Sequence, residues 1–384
     1  MSSFATTSER HIWIDALRLF AGLSMVGLHA TADAAGQPYP DAAPSDRIAP
    51  LLLRSIFYVA RTELFLMISI LLLLMSLHRV PRTYRQVIKF QVGRLLAPFL
   101  FWTVFYAPYG LMKAGQFGYG SAEIDRISDL GVWAKFLLLG DVKYHMHFIP
   151  TLLGLIVFFP LYRMSEKQPL WGLAVVPCLL LKHLLEGAIY SQFWHSDALP
   201  YLIRILKVTT YIGYGMAAGA VLGIWNMSAR GLPKSLFFFV LACGVFLFAF
   251  KLISTAKVIQ SGTWEYTYVP GYWADLLMPV VLLIGAMCLA DKLWPEWISR
   301  AAKYSFGIYL CHPIFLDLAE IALQTVEASP MLQVIFELAW VVPTTALFVF
   351  CISRIPVLAW TIGLGPLPQI LPQRTIQTHL KQEK

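Results

Sequence analysis

An aspartate, an arginine and a histidine stand inside an otherwise apolar segment long enough to cross a bilayer, IDALRLFAGLSMVGLHA over residues 14–30. A charged side chain near the bilayer centre costs about 2.5–3.5 kcal/mol on insertion scales, so such residues face a protein interior or a wet cavity. On a helix advancing about 100° per residue, Asp15, Arg18, Gly22, Met25 and His29 fall on one stripe. Arg18 and His29 are nearly eclipsed on it, about 16 Å apart along the axis. The plainest reading lets Asp15 and Arg18 snorkel at the cytoplasmic end and leaves His29 as a lone histidine at the outer end. The alternative makes the stripe one wall of a functional interior.

The rest of the chain repeats the constraint. Of 384 residues, 58% are hydrophobic and 14% charged, with a mean hydropathy of +0.64, a balance that a soluble domain cannot carry on its surface. Apolar runs of spanning length recur at about 12–30, 50–76, 90–110, 146–163, 169–190, 201–225, 235–253, 272–290, 304–324 and 333–352. The expected fold is therefore an all-α polytopic membrane protein of about ten transmembrane helices. It forms a single membrane-embedded domain over 1–384, with a short cytoplasmic tail from about 354 to 384.

In a soluble chain a net charge of +8 would point to nucleic acid; here it reads as a topology signal, and no nucleic-acid partner is expected. His78, Arg79, Arg82, Arg85 and Lys89, then Arg163 and Lys167, then Arg230 and Lys234, then Lys292, Arg300 and Lys303 occupy alternate loops. Asp33, Asp41 and Asp46, then Glu186 and Asp197, then Asp317, Glu320 and Glu327 occupy the loops between. The positive-inside rule places both termini in the cytoplasm and His29 toward the outer face. HATADAA after the first span has the small residues of a signal-peptidase site, but a cleaved leader's apolar core does not carry Asp15 and Arg18, so the span is read as retained. Two stretches, TADAAGQPYPDAAPSDRIAP and about 113–143, are expected as long external loops. The five cysteines all lie in apolar segments without paired spacing and read as inert small hydrophobes.

Further chemistry-bearing residues fall at intervals. The second span holds Arg54, Arg61, Glu63 and Ser69; Arg54 and Arg61, seven apart, are expected on one helical face, with Glu63 beside Arg61. A purely structural ion network is an equal reading there. KFQVGRLLAPF places Lys89 and Arg94 at the cytoplasmic border, either as headgroup anchors or as contacts for the phosphates of a cytosolic cofactor. KYHMHFI brings His145 and His147 close together, and KYSFGIYLCHP carries Ser305, Tyr309 and His312. No acidic or cysteine partner stands at ligand spacing from the His-x-His pair, so no metal is expected. There is no GxSxG, Walker or Rossmann string.

Taken in order, these pieces resemble the acyltransferase 3 family of bacterial membrane O-acyltransferases. Asp15, Arg18 and His29 match its opening Asp, Arg and His; FLMISI, with Phe65 and Ser69, is similar to its phenylalanine-rich segment ending in Ser-Gly. GRLLAPF resembles the arginine-bearing third-span entry, HMHFI a His-x-Trp-Phe element, and SFGIYLCHP the late Ser-x-x-Ile-Tyr-Leu-x-His-Pro element. Three positions depart from the pattern: Ile70 stands for Gly, His147 for Trp, and Gln91 for the first of two paired arginines.

The resemblance implies transfer of an acyl group from cytosolic acyl-CoA, succinyl-CoA or acetyl-CoA, to a hydroxyl of an extracytoplasmic polysaccharide or lipid-linked oligosaccharide. The setting would be the bacterial inner membrane, with membrane lipids as the surroundings. His29 is the expected base, Arg18 a donor-orienting or charge-stabilising group, and Asp15 its support. Arg94 and Lys89 are expected at the CoA phosphates. Arg54, Arg61, Ser69, His145, Tyr309 and His312 are expected to line the substrate cavity. RTELFLMIS looks most like the second span of glucan and exopolysaccharide succinyltransferases, with Arg54 as the cation for a succinyl carboxylate. A sugar-lipid transporter or flippase is the alternative, although the halves show no repeat and no matching broken helices; a non-catalytic scaffold would leave the charged stripe unexplained.

Overall fold

The computed structural model describes residues 11–228 and 232–367. These form α1 (Ile12–Ala30), α2 (Pro44–Tyr58), α3 (Thr62–Arg79), α4 (Tyr84–Gln116), α5 (Gly120–Ser128), α6 (Leu130–Leu139), α7 (Phe148–Ile156) and α8 (Phe159–Lys167). They continue as α9 (Val175–Phe193), α10 (Leu199–Met227), α11 (Lys234–Ser261), α12 (Val269–Cys288), α13 (Glu296–Ala302), α14 (Ser305–Leu323) and α15 (Pro330–Arg354). No strand occurs among the described residues. Nine helical segments there are long and apolar enough to span a membrane, or ten if α7 and α8, bent by 64°, make one span. The chain is an all-α polytopic membrane protein.

Burial sorts the helices. In α11 only 6% of the best spanning window is buried, and Phe238, Phe239, Val245 and Phe246 point outward, as expected of a segment apolar all round that meets lipid. In α10 the share is 72%. Its GYGMAAGAVLG stretch lets the α8 backbone lie against it, and at Gly219 a side chain would run into the Tyr162 carbonyl. Small residues serve this close approach where apolar packing gains nothing over lipid.

The described chain starts and finishes at one end of the bundle. Ser299 Oγ of α13 donates to Asp15 Oδ2 of α1 at 2.7 Å, and Arg18, Lys303 and the 362–364 segment line one cavity. Arg82 and Arg94 stand at the same basic end. Of the sequence-read topology signals, Arg230 and the tail beyond residue 367 lie outside the described residues.

Three expectations need correction. The second span is not one helix: it breaks at 59–61, and Arg61 is the extended N-cap of α3 (φ −69°, ψ −178°), so Arg54 and Arg61 do not share a helical face. The break is held by charge. Arg61 Nε lies 3.2 Å from Glu63 Oε2, the Tyr211 hydroxyl donates to Glu63 Oε1 at 2.6 Å, and the Arg61 guanidinium sits over the Tyr58 ring at 4.6 Å. Asp317 and Glu320, expected in an external loop, are buried within α14, where Lys113 pairs with both and Lys143 reaches Asp317 at 2.6 Å. Finally, the stretch 113–143 is largely helical, because α4 continues to Gln116 and α5 and α6 follow it.

Glu63 is 1% exposed, so removing its charge strands Arg61 inside the bundle. Glu63→Ala is expected to cost about 3–5 kcal/mol and Tyr211→Phe about 1–3 kcal/mol. Unfolding curves in mixed detergent micelles check this; equal stability of Glu63→Ala and wild type would mean the pair does not hold the break.

Candidate active site

Two compartments occupy the bundle, one above the other. At the basic end a groove of about 820 Å³ runs between the start of α4 and the 360–367 segment, past Arg82, Lys89, Phe90 and Arg94. It continues into a cavity of about 510 Å³ that shares Arg82, Phe90 and Arg94 with it and adds Arg18, Ser69, Gln91 and Lys303. Phe65, Ser69, Leu72 and Ser76 of α3 all line the cavity, as residues three to four apart on one helical face must. Among the described residues no carboxylate pairs with Arg82, Lys89, Arg94 or Lys303, so the compartment is strongly cationic. Arg18 is braced by Asp15 at 3.4 Å.

The cavity is roofed by aromatic rings. Phe65 and Phe148 line it and pack against Tyr309, with ring centroids 6.0 and 5.4 Å away. Behind Tyr309 lies a cluster of imidazoles: His29 stacks on His312 at 5.6 Å, and His145 meets His312 at 5.3 Å and Tyr309 at 5.1 Å. Tyr144 closes over His29 at 4.0 Å. The cluster depends on helix register, because Gly22 of α1 is level with Ser305 of α14 and both helices then rise seven residues to a histidine.

Hydrogen bonding fixes the chemistry of these rings. His312 Nδ1 lies 2.8 Å from the Tyr309 carbonyl and 3.3 Å from that of Ile308. A carbonyl only accepts, so Nδ1 carries the hydrogen and, in the neutral ring, Nε2 keeps its lone pair. His312 Nε2 and His29 Nε2 are both buried without a protein partner. Neither nitrogen of His145 has one either. Burial first, then the neighbouring His312 and His29, hold the His145 pKa well below the usual imidazole value, so this ring stays neutral at neutral pH. Buried polar atoms left without partners are expected where a ligand supplies them.

The chain matches the family described as an acyltransferase domain, acyltransferase 3, over residues 11–372. It belongs to the acyltransferase 3 family. No curated protein and no solved structure matches it. It is thus a membrane-bound O-acyltransferase, which carries an acyl group to a hydroxyl acceptor.

In this acyltransferase the family-like residues divide between the two compartments. Arg18, Ser69, Lys89 and Arg94 line the basic one; His29, His145 and His312 form the cluster. Arg18 and His29, one stripe in the sequence, therefore lie in different compartments. The Tyr309 hydroxyl is committed to the His145 carbonyl, so this residue positions the cluster with its ring against the cavity roof. Arg61 is held by Glu63 at the break and does not line the cavity. Arg54 donates to the Leu28 carbonyl, next to His29, and lies over Trp264 at 4.5 Å. Of the departures, Gln91 lines the cavity, whereas Ile70 packs in the core. The His147 carbonyl accepts from Arg204. No group of three or more His, Cys, Asp or Glu side chains able to hold a metal occurs among the described residues.

Sequence reasoning missed the Tyr144 lid over His29 and the Lys113, Lys143, Asp317 and Glu320 network that anchors the loop before α7 to α14. The hydropathy pattern assigns those residues to loops, and only the i, i+3 spacing of Asp317 and Glu320 hinted at a shared helical face.

His29→Ala and His312→Ala should each lower kcat about 10²- to 10⁴-fold, the usual worth of a general acid–base group. The check is single-turnover kinetics on variants that elute as monodisperse as wild type. Wild-type turnover in either would remove that imidazole from the chemistry.

Proposed function

We propose that this acyltransferase takes its acyl group from cytosolic acyl-CoA and delivers it to a hydroxyl of a polysaccharide or lipid-linked oligosaccharide on the far side of the bacterial inner membrane. The observation that carries the reading is the stacking of two unlike compartments in one bundle: Arg82, Lys89, Arg94 and Lys303 below with no carboxylate paired to them among the described residues, imidazole nitrogens without protein partners above, and a single aromatic layer between. A nucleotide-bearing thioester suits the lower compartment, since guanidinium and ammonium groups bind phosphate. A neutral acceptor hydroxyl suits the upper one, where imidazole nitrogens are free to receive a proton. Membership in an acyltransferase family favours transfer over the transport of a sugar-lipid.

The chemistry follows from those positions. With the CoA diphosphate at Lys89 and Arg94, the pantetheine arm runs up the cavity past Ser69, and the thioester meets the layer of Phe65, Phe148 and Tyr309. His29 or His312 removes the acceptor proton through its Nε2 as the oxygen attacks the thioester carbon. Collapse of the tetrahedral intermediate expels the CoA sulfur, which recovers that proton from the imidazolium. Each turnover then yields one ester and one thiol, with no net proton. The tautomer of His312 fits it for this task, and His29, stacked on it, fits equally well. Arg18, braced by Asp15, stands in the donor cavity and orients the donor.

Within this reading succinyl is preferred to acetyl as the transferred group. Arg54 is tied to the backbone beside His29, so its charge lies near the place where a short dicarboxylic acyl chain would present its free carboxylate. Burying that carboxylate without a cation costs far more than burying a methyl group.

Two outcomes test the proposal. Arg94→Ala should raise KM for acyl-CoA with little change in kcat, because a phosphate contact made equally in ground and transition states is uniform binding. Steady-state kinetics measure it, and an unchanged KM would return Arg94 to a headgroup anchor. Arg54→Ala should impair turnover with succinyl-CoA more than with acetyl-CoA in matched detergent. Equal losses would remove the carboxylate role, and a wild-type preference for acetyl-CoA would overturn the succinyl assignment.

A further inference from the structure

We infer that Arg82, Arg163 and Lys167 form a separate phosphate subsite that receives the 3′-phosphate of CoA. The inference rests on the acyl-CoA reading above and adds residues to the donor site that no family-like motif contains. A hollow of about 490 Å³ lies beside the donor groove, lined by Arg82, Tyr84, Phe159, Arg163 and Lys167 among others. Arg82 lines this hollow, the groove and the cavity, so the three are continuous through its side chain.

The bend between α7 and α8 builds the hollow. The Tyr84 hydroxyl, from the first turn of α4, donates to the carbonyl of Val157 in the break at 3.1 Å, and its ring stacks on Phe159 with centroids 5.5 Å apart and planes 17° apart. With the two helices bent by 64°, Arg163 and Lys167, four apart on one face of α8, border the same hollow as Arg82. Among the described residues no carboxylate neutralises these three. The nearest in sequence, Glu166, is engaged elsewhere, 2.7 Å from His78 Nε2 and accepting from Asn226 at 3.4 Å.

Three unneutralised cations in a concave site suit a dianionic phosphomonoester better than the singly charged diphosphate oxygens, and the Tyr84–Phe159 pair offers a flat face to an adjoining base. CoA carries its phosphates in two places, the diphosphate and the ribose 3′-position. With the former at Lys89 and Arg94, the latter falls one ribose further out, toward Arg82. The subsite also accounts for Gln91: it replaces the first arginine of the family's pair, leaving Arg94 alone, and Arg82, Arg163 and Lys167 supply charge from beside the groove. An anionic lipid headgroup presents the same phosphate chemistry, so the test separates the two sources.

The test is calorimetric titration of the full chain in nanodiscs of zwitterionic phosphatidylcholine, with CoA and with 3′-dephospho-CoA, for wild type and for Arg163→Gln/Lys167→Gln. Wild type should bind CoA about tenfold or more tightly than 3′-dephospho-CoA, as expected for a charge-assisted phosphate contact. The double variant should bind both as weakly as wild type binds 3′-dephospho-CoA, and Arg163→Lys/Lys167→Arg should restore most of the difference. Full CoA preference in the double variant would assign these cations to lipid headgroups and overturn the inference. Equal wild-type affinity for the two nucleotides would overturn it while leaving the acyl-CoA reading intact. Wild-type binding of neither nucleotide would remove the acyl-CoA reading itself. Where the double variant does not fold, Lys167→Gln alone, at the exposed end of α8, carries the same comparison with a smaller loss.

Discussion

A charge inside a lipid-facing bundle must be neutralised or put to use, and this protein shows both solutions side by side. Arg61 is neutralised by Glu63, whose other oxygen accepts from the Tyr211 hydroxyl, Lys251 by Asp275 at 2.8 Å, and Lys113 and Lys143 by Asp317 and Glu320. These contacts tie α3 to α10, α11 to α12, and both α4 and the loop before α7 to α14. Among the described residues no carboxylate pairs with Arg82, Lys89, Arg94 or Lys303 of the basic compartment. They stand at the basic end of the bundle, where water can reach them. The contrast between paired and unpaired cations separates scaffold from site.

Register and broken helices do the positioning. The α2–α3 break places Arg61 on an extended backbone and starts α3 where Phe65 and Ser69 face the cavity. The α7–α8 bend begins just beyond the Phe148, Leu152 and Ile156 face that lines the same cavity, and turns α8 toward the start of α4. Irregular backbone at membrane depth is tolerated where protein buries it or a cavity borders it. Both breaks meet that condition. Between the compartments, Phe65, Phe148 and Tyr309 form a layer one ring thick, so the reacting groups can meet without a continuous aqueous path across the bundle.

Much of this was legible in the sequence, for reasons that can be named. Apolar length alone gave the ten segments, and the ordered Asp15, Arg18, His29 and SFGIYLCHP motifs gave the family. Pairing Arg54 with Arg61 on one face failed because periodicity assumes an unbroken helix, and nothing local in FYVART announces a break that Glu63 and Tyr211 stabilise from 148 residues apart. Asp317 and Glu320 were misread as loop residues because hydropathy counts charges without knowing their partners. That Arg18 and His29 serve different compartments was hidden too, since a stripe has no depth until neighbouring helices close around it. Arg163 and Lys167 carried only a topology signal; their relation to Arg82 exists through a bend that no residue pattern fixes.

The central claim is that the donor enters from the basic end and presents its carbonyl beneath the imidazole cluster. A cryo-electron microscopy structure with a non-hydrolysable thioether analogue of acyl-CoA tests it most directly. The account predicts nucleotide density in the groove beside Arg82, Lys89 and Arg94, and the acyl carbon against Phe148 and Tyr309, directly below His312 and His29. An analogue bound at the opposite end, or one whose acyl chain turns out into lipid and leaves the cavity roof uncontacted, would contradict it.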